Sequence, residues 1–178
     1  MRQPAQARIH WKTYFDPLSR LLSLATVGGR RRVDENVAVH AQMEAGETVS
    51  KIRVLLADDN ETVLARVRMV LGEKFDVVGA VSNGLDAVAE VQRLDPDVLL
   101  IDISMPILDG LQAVSRLRGH PQTKIVFLTV HEDQDFVDAA FAVGASGYVA
   151  KADVTTDLVP AISEVLKGQK YLSKSIKQ

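Results

Sequence analysis

The chain has 178 residues, with 21 Lys+Arg against 23 Asp+Glu, 47% hydrophobic and 25% charged residues, and no cysteine. That length holds one ordinary domain with sequence to spare, and the balance is that of a globular rather than a disordered chain. The missing cysteines exclude disulfides, thiolate metal sites and a Cys nucleophile, and a net charge of −2 leaves no overall basic footprint for nucleic acid.

The charge is uneven, with a surplus of +2 over residues 1–50 and a deficit of −4 over 51–178. The longest early apolar stretch, Leu21 to Val27, is broken by Ser23 and Thr26, far short of the ~20 apolar residues of a spanning helix. It is also a poor signal peptide, because Trp11–Asp16 precedes it in place of a compact basic region. A cytoplasmic protein without a membrane segment is expected. Residues 1–50 show no sustained hydrophobic period: Gly28-Gly29 and Arg30-Arg31-Arg32 interrupt them, and Asp34 to Thr48 is polar. They read as a flexible leader. A short amphipathic helix over Pro17–Thr26 and an alternative start at Met43 are compatible with the same residues.

The pattern changes at Lys51. Ile52 to Ala57 is a short apolar run ending in Asp58-Asp59-Asn60, as in a strand covered on both faces. Val63, Val67, Val70 and Leu71 then recur at helical spacing, predicting a helix from Glu61 to about Glu73 with Asn60 as N-cap. Phe75–Val81 is a second strand, closed by the turn signal Ser82-Asn83-Gly84. Val88, Val91 and Leu94 mark the next helix, ended by Asp95-Pro96. A third strand runs from Asp97 to Asp102. Met105-Pro106 opens a loop, and Asp109-Gly110 leads into a helix carrying Leu111, Val114 and Leu117. Lys124–Thr129 is the fourth strand, and a helix from about Asp133 to Val143 ends at Gly144. Gly147–Ala150 is the fifth strand, followed by Lys151 and a last helix over about Thr155–Lys167, ended by Gly168.

Five strands alternating with five helices predict a doubly wound α/β domain with a parallel sheet, since parallel neighbours need right-handed crossovers that put helices on both faces. In such a fold the working groups lie beyond the carboxyl ends of the strands. Those ends are Asp58-Asp59, Asp102, Thr129 and the residue before Lys151. Crowded carboxylates raise one another's pKa, and a hard divalent cation relieves the repulsion. Mg²⁺ suits oxygen ligands and commonly takes one or two carboxylates plus a phosphate. A carboxylate flanked by such an ion and by an ammonium can act as a nucleophile towards phosphorus, with a hydroxyl donating to a phosphoryl oxygen.

Taken in order, these stretches resemble a response-regulator receiver domain of the NarL/FixJ type. The resemblance is carried by Ile52–Asp59, Leu99–Pro106, Asp109-Gly110-Leu111, Phe127–His131 and Gly144–Lys151, and it spans residues 51–173, leaving 174–178 as a C-terminal tail. It implies a flavodoxin-like strand order 2-1-3-4-5. It also implies that Asp102 accepts a phosphoryl group from a histidine kinase or phosphotransfer protein, and that Asp58, Asp59, Asp102 and the backbone carbonyl of Ser104 hold Mg²⁺. Within that set Asp59 would be a direct ligand and Asp58 would often act through water. Lys151 would pair with the phosphoryl group, while Thr129 and Tyr148 would be the hydroxyl and aromatic switch residues, with Tyr148 moving inward on phosphorylation.

Two departures stand out. Ala152 occupies the position where many receivers have Pro, and the chain reaches Gln178 without the LuxR-type helix-turn-helix that usually follows. DNA binding is therefore not expected of this chain, which reads as a stand-alone receiver or a truncated regulator. The partners expected are a phosphodonor protein, a downstream protein target and, on phosphorylation, a second copy of the chain. Enzymatic turnover of free substrates is not expected. An aspartyl-phosphate phosphatase would want an acid two residues after the nucleophile, where Ser104 stands. A phosphorylation-independent interaction module is the remaining alternative. His131 reads as a solvent-facing loop residue.

Overall fold

A computed structural model describes residues 50–120 and 122–177. The leader, the Pro17–Thr26 helix and the Met43 start all lie outside the described residues. Five helices flank the sheet strands in strict alternation: β1 (Ile52–Ala57), α1 (Glu61–Leu71), β2 (Phe75–Val81), α2 (Gly84–Leu94), β3 (Val98–Ile101), α3 (Gly110–Arg116), β4 (Lys124–Thr129), α4 (Gln134–Val143), β5 (Gly147–Ala150) and α5 (Val154–Leu166). Short 3₁₀ turns follow α1 and β5.

Polar side chains set several helix starts. Asn60 accepts hydrogen bonds from the amides of Thr62 and Val63, Asn83 from that of Asp86, and Asp109 from that of Gln112. Each satisfies an amide that the first helical turn leaves without a backbone partner.

The sheet is parallel throughout, in the order β2-β1-β3-β4-β5-β6. The expected 2-1-3-4-5 order is present, but the sheet has six strands rather than five. The addition is β6 (Tyr171–Leu172), which pairs with β5 through Gly147↔Tyr171 and Tyr148↔Leu172. Two residues are too short for any periodic signal. Their strand character comes from the exposed edge of β5 that they cover, so only the folded neighbour reveals it.

Position in the sheet explains the strand sequences. β3 and β5 are buried at every residue, and β4 at all but Lys124. Helices cover both faces there, and the runs Val-Leu-Leu-Ile and Ile-Val-Phe-Leu-Thr are accordingly continuous rather than alternating. The edge strand β2 is only partly buried. Leu55, Leu99, Ile101 and Phe127 are fully enclosed in the core on one side of the sheet. Each such side chain contributes roughly 1.5–3 kcal/mol relative to exposure, and together they hold the strand ends in fixed relative positions.

Candidate functional site

The sheet ladders continue one residue past β1 and β3, and that residue is acidic in both cases. The Asp58 amide donates to the Val81 carbonyl at 3.0 Å, and the Asp102 amide donates to the Ala57 carbonyl at 2.8 Å. Backbone pairing therefore places the two acids side by side at the same rim. The loop after Asp102 is held equally closely. Gly110 donates to the Ile103 carbonyl at 2.8 Å, and a methyl group at Gly110 would lie 2.0 Å from the Asp102 carbonyl oxygen. Only glycine permits that approach. Pro106-Ile107-Leu108 forms a tight turn, with the Leu108 amide donating to the Pro106 carbonyl and Ile107 at φ 68°. A positive φ is costly for a β-branched residue. Burial of Leu108 and the bond from the Gly84 amide to its carbonyl hold the turn in place.

Carboxylate oxygens of Asp58, Asp59 and Asp102 all lie within 4.8 Å of one another. Asp58 and Asp102 are buried, whereas Asp59 is exposed. The 3₁₀ turn after β5 brings Lys151 to the same place. Its Nζ lies 2.7 Å from Asp58 Oδ2 and 2.8 Å from Asp102 Oδ2. The second contact is a well-formed hydrogen bond. The first is an ion pair between the same ammonium and Asp58. Asp58 Oδ1 accepts from the Asn60 amide, and Asp102 Oδ1 from the Ile103 amide.

Three carboxylates are thus clustered with one ammonium that pairs with two of them, and the site carries surplus negative charge. Burial pushes the Asp58 carboxyl above its usual range, against the pull of Lys151 and the Asn60 amide, and the Asp102 charge adds to the rise. Burial pulls the Lys151 ammonium down, but bonds and charge from Asp102 and Asp58 outweigh it, so its pKa is raised. The ammonium stays charged, and Asp58 is the under-compensated member. Three carboxylates whose oxygens lie within 4.8 Å of one another, with one ammonium beside two of them, form an all-oxygen cluster of surplus negative charge that fits a hard divalent cation.

The remaining expected residues sit around this cluster. Thr129 is fully buried at the end of β4, and its Oγ1 accepts from the His131 amide at 3.3 Å. Among the described residues its hydroxyl has no hydrogen bond to the acids. Tyr148 is also fully buried, and its hydroxyl donates to the His131 carbonyl at 2.8 Å. It already points inward, without the movement expected for it. Burial, with the charges of Asp102, Asp133 and Glu132, pushes its phenol well above the ordinary range. Ser104, in the loop after Asp102, places its Oγ 2.8 Å from His131 Nε2. No peptide bond among the described residues is cis, so Ala152 follows Lys151 through a trans bond.

His131 differs from its expected role. It is half-buried rather than solvent-facing, and its ring stacks on Phe136 with centroids 4.1 Å apart. Its backbone and ring together touch Thr129, Tyr148 and Ser104. No spacing rule points to such a junction, because Ser104 and Tyr148 reach it from the loop after β3 and from β5.

The sequence pattern of the response regulator receiver domain matches residues 54–163. The chain belongs to that family. Receiver domains of this kind serve two-component signal transduction. The response regulator GacA of Pseudomonas viridiflava is 37% identical over 130 residues, covering 71% of this chain and 61% of GacA. The chain thus spans about three-fifths of that relative's length. Among solved structures, a LuxR-family two-component response regulator from Aurantimonas sp. SI85-9A1 superposes with a TM-score of 0.68 at 30% identity, covering 72% of this chain and 94% of that one. The isolated REC domain of RcsB from Salmonella enterica serovar Typhimurium, solved with the phosphomimetic BeF₃⁻, gives 0.65 at 29% identity, covering 72% and 97%. As a receiver domain the chain carries the family's acidic pocket as the Asp58, Asp59 and Asp102 cluster. No helix among the described residues is long and apolar enough to cross a membrane.

Proposed function

We propose that Asp102 is the phosphoacceptor of a signalling switch. Its carboxylate attacks the phosphorus of a phosphohistidine on a histidine kinase or phosphotransfer protein. The P–N bond breaks, the imidazole leaves with a proton, and an aspartyl phosphate forms. The observation that carries this reading is the Lys151 ammonium bridging Asp58 and Asp102 inside a three-acid cluster.

Asp58, Asp59, Asp102 and the Ser104 carbonyl are the groups that hold Mg²⁺. When bound, Mg²⁺ supplies positive charge at the phosphoryl oxygens, the main demand of phosphoryl transfer. Lys151, paired with Asp58 and Asp102, supplies a second positive charge. Thr129 turns its hydroxyl from the His131 amide to a phosphoryl oxygen. Tyr148, inward already, stays bonded to the His131 carbonyl, so phosphorylation acts on how firmly the Thr129–His131–Tyr148 chain is held. That is a population shift driven by charge at one point. Its readout is binding of a downstream protein on the side of the domain that carries α4 and α5, where β6 rather than β5 is the sheet edge, a second copy of the chain being one such partner, in the cytoplasm.

The chemistry is confined to the domain's own aspartate. Ser104, two residues on, offers no carboxylic acid for phosphatase turnover, and its hydroxyl is engaged by His131. Incubation with Mg²⁺ and acetyl phosphate, or with phosphorylated kinase, labels the wild-type chain and not Asp102→Asn. Equal labelling of the two proteins defeats the assignment.

A further inference from the structure

The strand that carries Tyr148 and leads into Lys151 is held on one side by β4. Its other edge is covered by a segment beyond the last residue of the family match, 163. The pairing there is short but dense. The Tyr171 amide donates to the Ser146 carbonyl at 3.0 Å, and the Ser173 amide donates to the Tyr148 carbonyl at 2.9 Å. Ser173 then makes a second bond with its side chain, Oγ accepting from the Ala150 amide at 3.2 Å. One fully buried serine therefore brackets the backbone from the aromatic residue to the residue before the ammonium.

The serine lies next to Asp157 of α5. Asp157 on α5 is buried, and Thr156 Oγ1 donates to its Oδ1 at 3.0 Å. Burial pushes the Asp157 carboxyl up, but the hydroxyls of Ser173, Thr156 and Tyr171 and the Lys174 amide more than reverse this, leaving it below its usual range. The segment is tied again further on, where Ser175 Oγ donates to Asp153 in the 3₁₀ turn that begins at Lys151. Ile176 is buried. The Lys151 turn is thus fixed to the same strap at both ends.

We infer that Ser173 is a positioning residue for Lys151 and Tyr148, and that the strap Tyr171–Lys177 responds to the state of the Asp102 pocket. The inference rests on the reading of Asp102 as phosphoacceptor. Lys151 Nζ is shared between two carboxylates at 2.7 and 2.8 Å, so a backbone displacement at Ala150 either strains the lysine stem or moves the ammonium relative to them. Coupling of this kind is reciprocal: if the strap sets where the ammonium sits, then occupancy of the pocket must alter the strap by the same free energy.

Two measurements on the full chain test this. Hydrogen exchange of the amides from Tyr171 to Ile176 is followed with and without Mg²⁺ and BeF₃⁻. Exchange at Tyr171 and Ser173 changes severalfold in the wild type and not in Asp102→Asn. Labelling by acetyl phosphate at saturating Mg²⁺ slows about fivefold in Ser173→Ala, the factor equivalent to one hydrogen bond of about 1 kcal/mol. The loss falls on the maximal rate, with little change in the acetyl phosphate concentration for half-maximal rate. Ser175→Ala, at an exposed position that does not endanger folding, slows labelling less and in the same direction. Strap exchange indifferent to BeF₃⁻, or wild-type labelling rates in both serine variants, overturns the inference while leaving Asp102 as acceptor. A wild-type chain that is neither labelled nor altered by BeF₃⁻ defeats both readings. Should Ser173→Ala fail to fold, the exchange result on the wild type decides alone.

Discussion

Replacing Gly110 by alanine tests whether the phosphoacceptor loop is as closely packed as its geometry states. The added methyl would sit 2.0 Å from the Asp102 carbonyl oxygen, 2.9 Å from its carbon and 3.1 Å from the Ile103 Cα. All three are backbone atoms, so no side-chain rotation relieves the contact. Loop and strand must part by about 1 Å before the overlap is tolerable. Overpacking of this kind costs about 1–3 kcal/mol. The parting also lengthens the 2.8 Å bond from the Gly110 amide to the Ile103 carbonyl, a further ~1 kcal/mol. A total of about 3 kcal/mol corresponds to a fall of roughly 12 °C in melting temperature for a domain of this size. Because the displaced loop begins at Asp102, the proposed phosphoacceptor, acetyl phosphate labelling falls on the order of 10- to 100-fold as well. Gly119→Ala is the control: a methyl there meets nothing within 4 Å, and the change stays within about 0.5 kcal/mol. Melting followed by circular dichroism, with labelling measured below the transition, gives both readouts. A Gly110→Ala protein that melts within a degree or so of wild type would refute the packing argument.

Three other perturbations probe the charges. Lys151→Met leaves the side chains of Asp58 and Asp102, 5% and 4% exposed, without their ammonium; at neutral pH without divalent cation it costs about 3 kcal/mol, much of it recovered by millimolar Mg²⁺, and an unchanged denaturation midpoint would show that the bridge contributes nothing. Asp59→Asn removes one carboxylate from the crowd, so the cation-free protein gains stability while its Mg²⁺ affinity, read by thermal shift or titration calorimetry, falls by at least about tenfold; an unaltered affinity removes Asp59 from the ligand set. The Tyr171 phenol is pushed up to about 12, by burial first and then by Asp157 and Asp153. Below about pH 10 it is protonated in folded and unfolded chains alike; between about pH 10 and 12 only the unfolded chain ionises freely, so stability falls as pH rises. The gap between the urea midpoints of wild type and Tyr171→Phe therefore changes only across that window, and parallel curves throughout would argue against a raised Tyr171 phenol.

Local pattern carried most of this architecture. The apolar runs of β1, β3, β4 and β5 and the helical periods between them follow from elements that must bury a face, and the acids at the ends of β1 and β3 stand out because an otherwise apolar run stops on them. The meeting of Asp58, Asp59, Asp102 and Lys151 at one rim follows from the rule that places strand carboxyl ends together, whereas the strand order came only from the resemblance to receiver domains. The chain alone said nothing of three features. Tyr171–Leu172 is a strand because β5 would otherwise present bare carbonyls and amides. His131 is a junction because loops after β3 and β4 approach each other in space. Tyr148 lies inward because the His131 carbonyl accepts its hydroxyl. Each depends on groups distant in sequence becoming neighbours. Periodicity reports which face of an element is buried, whereas these contacts depend on what the opposite wall supplies, and that wall exists only once the sheet has closed.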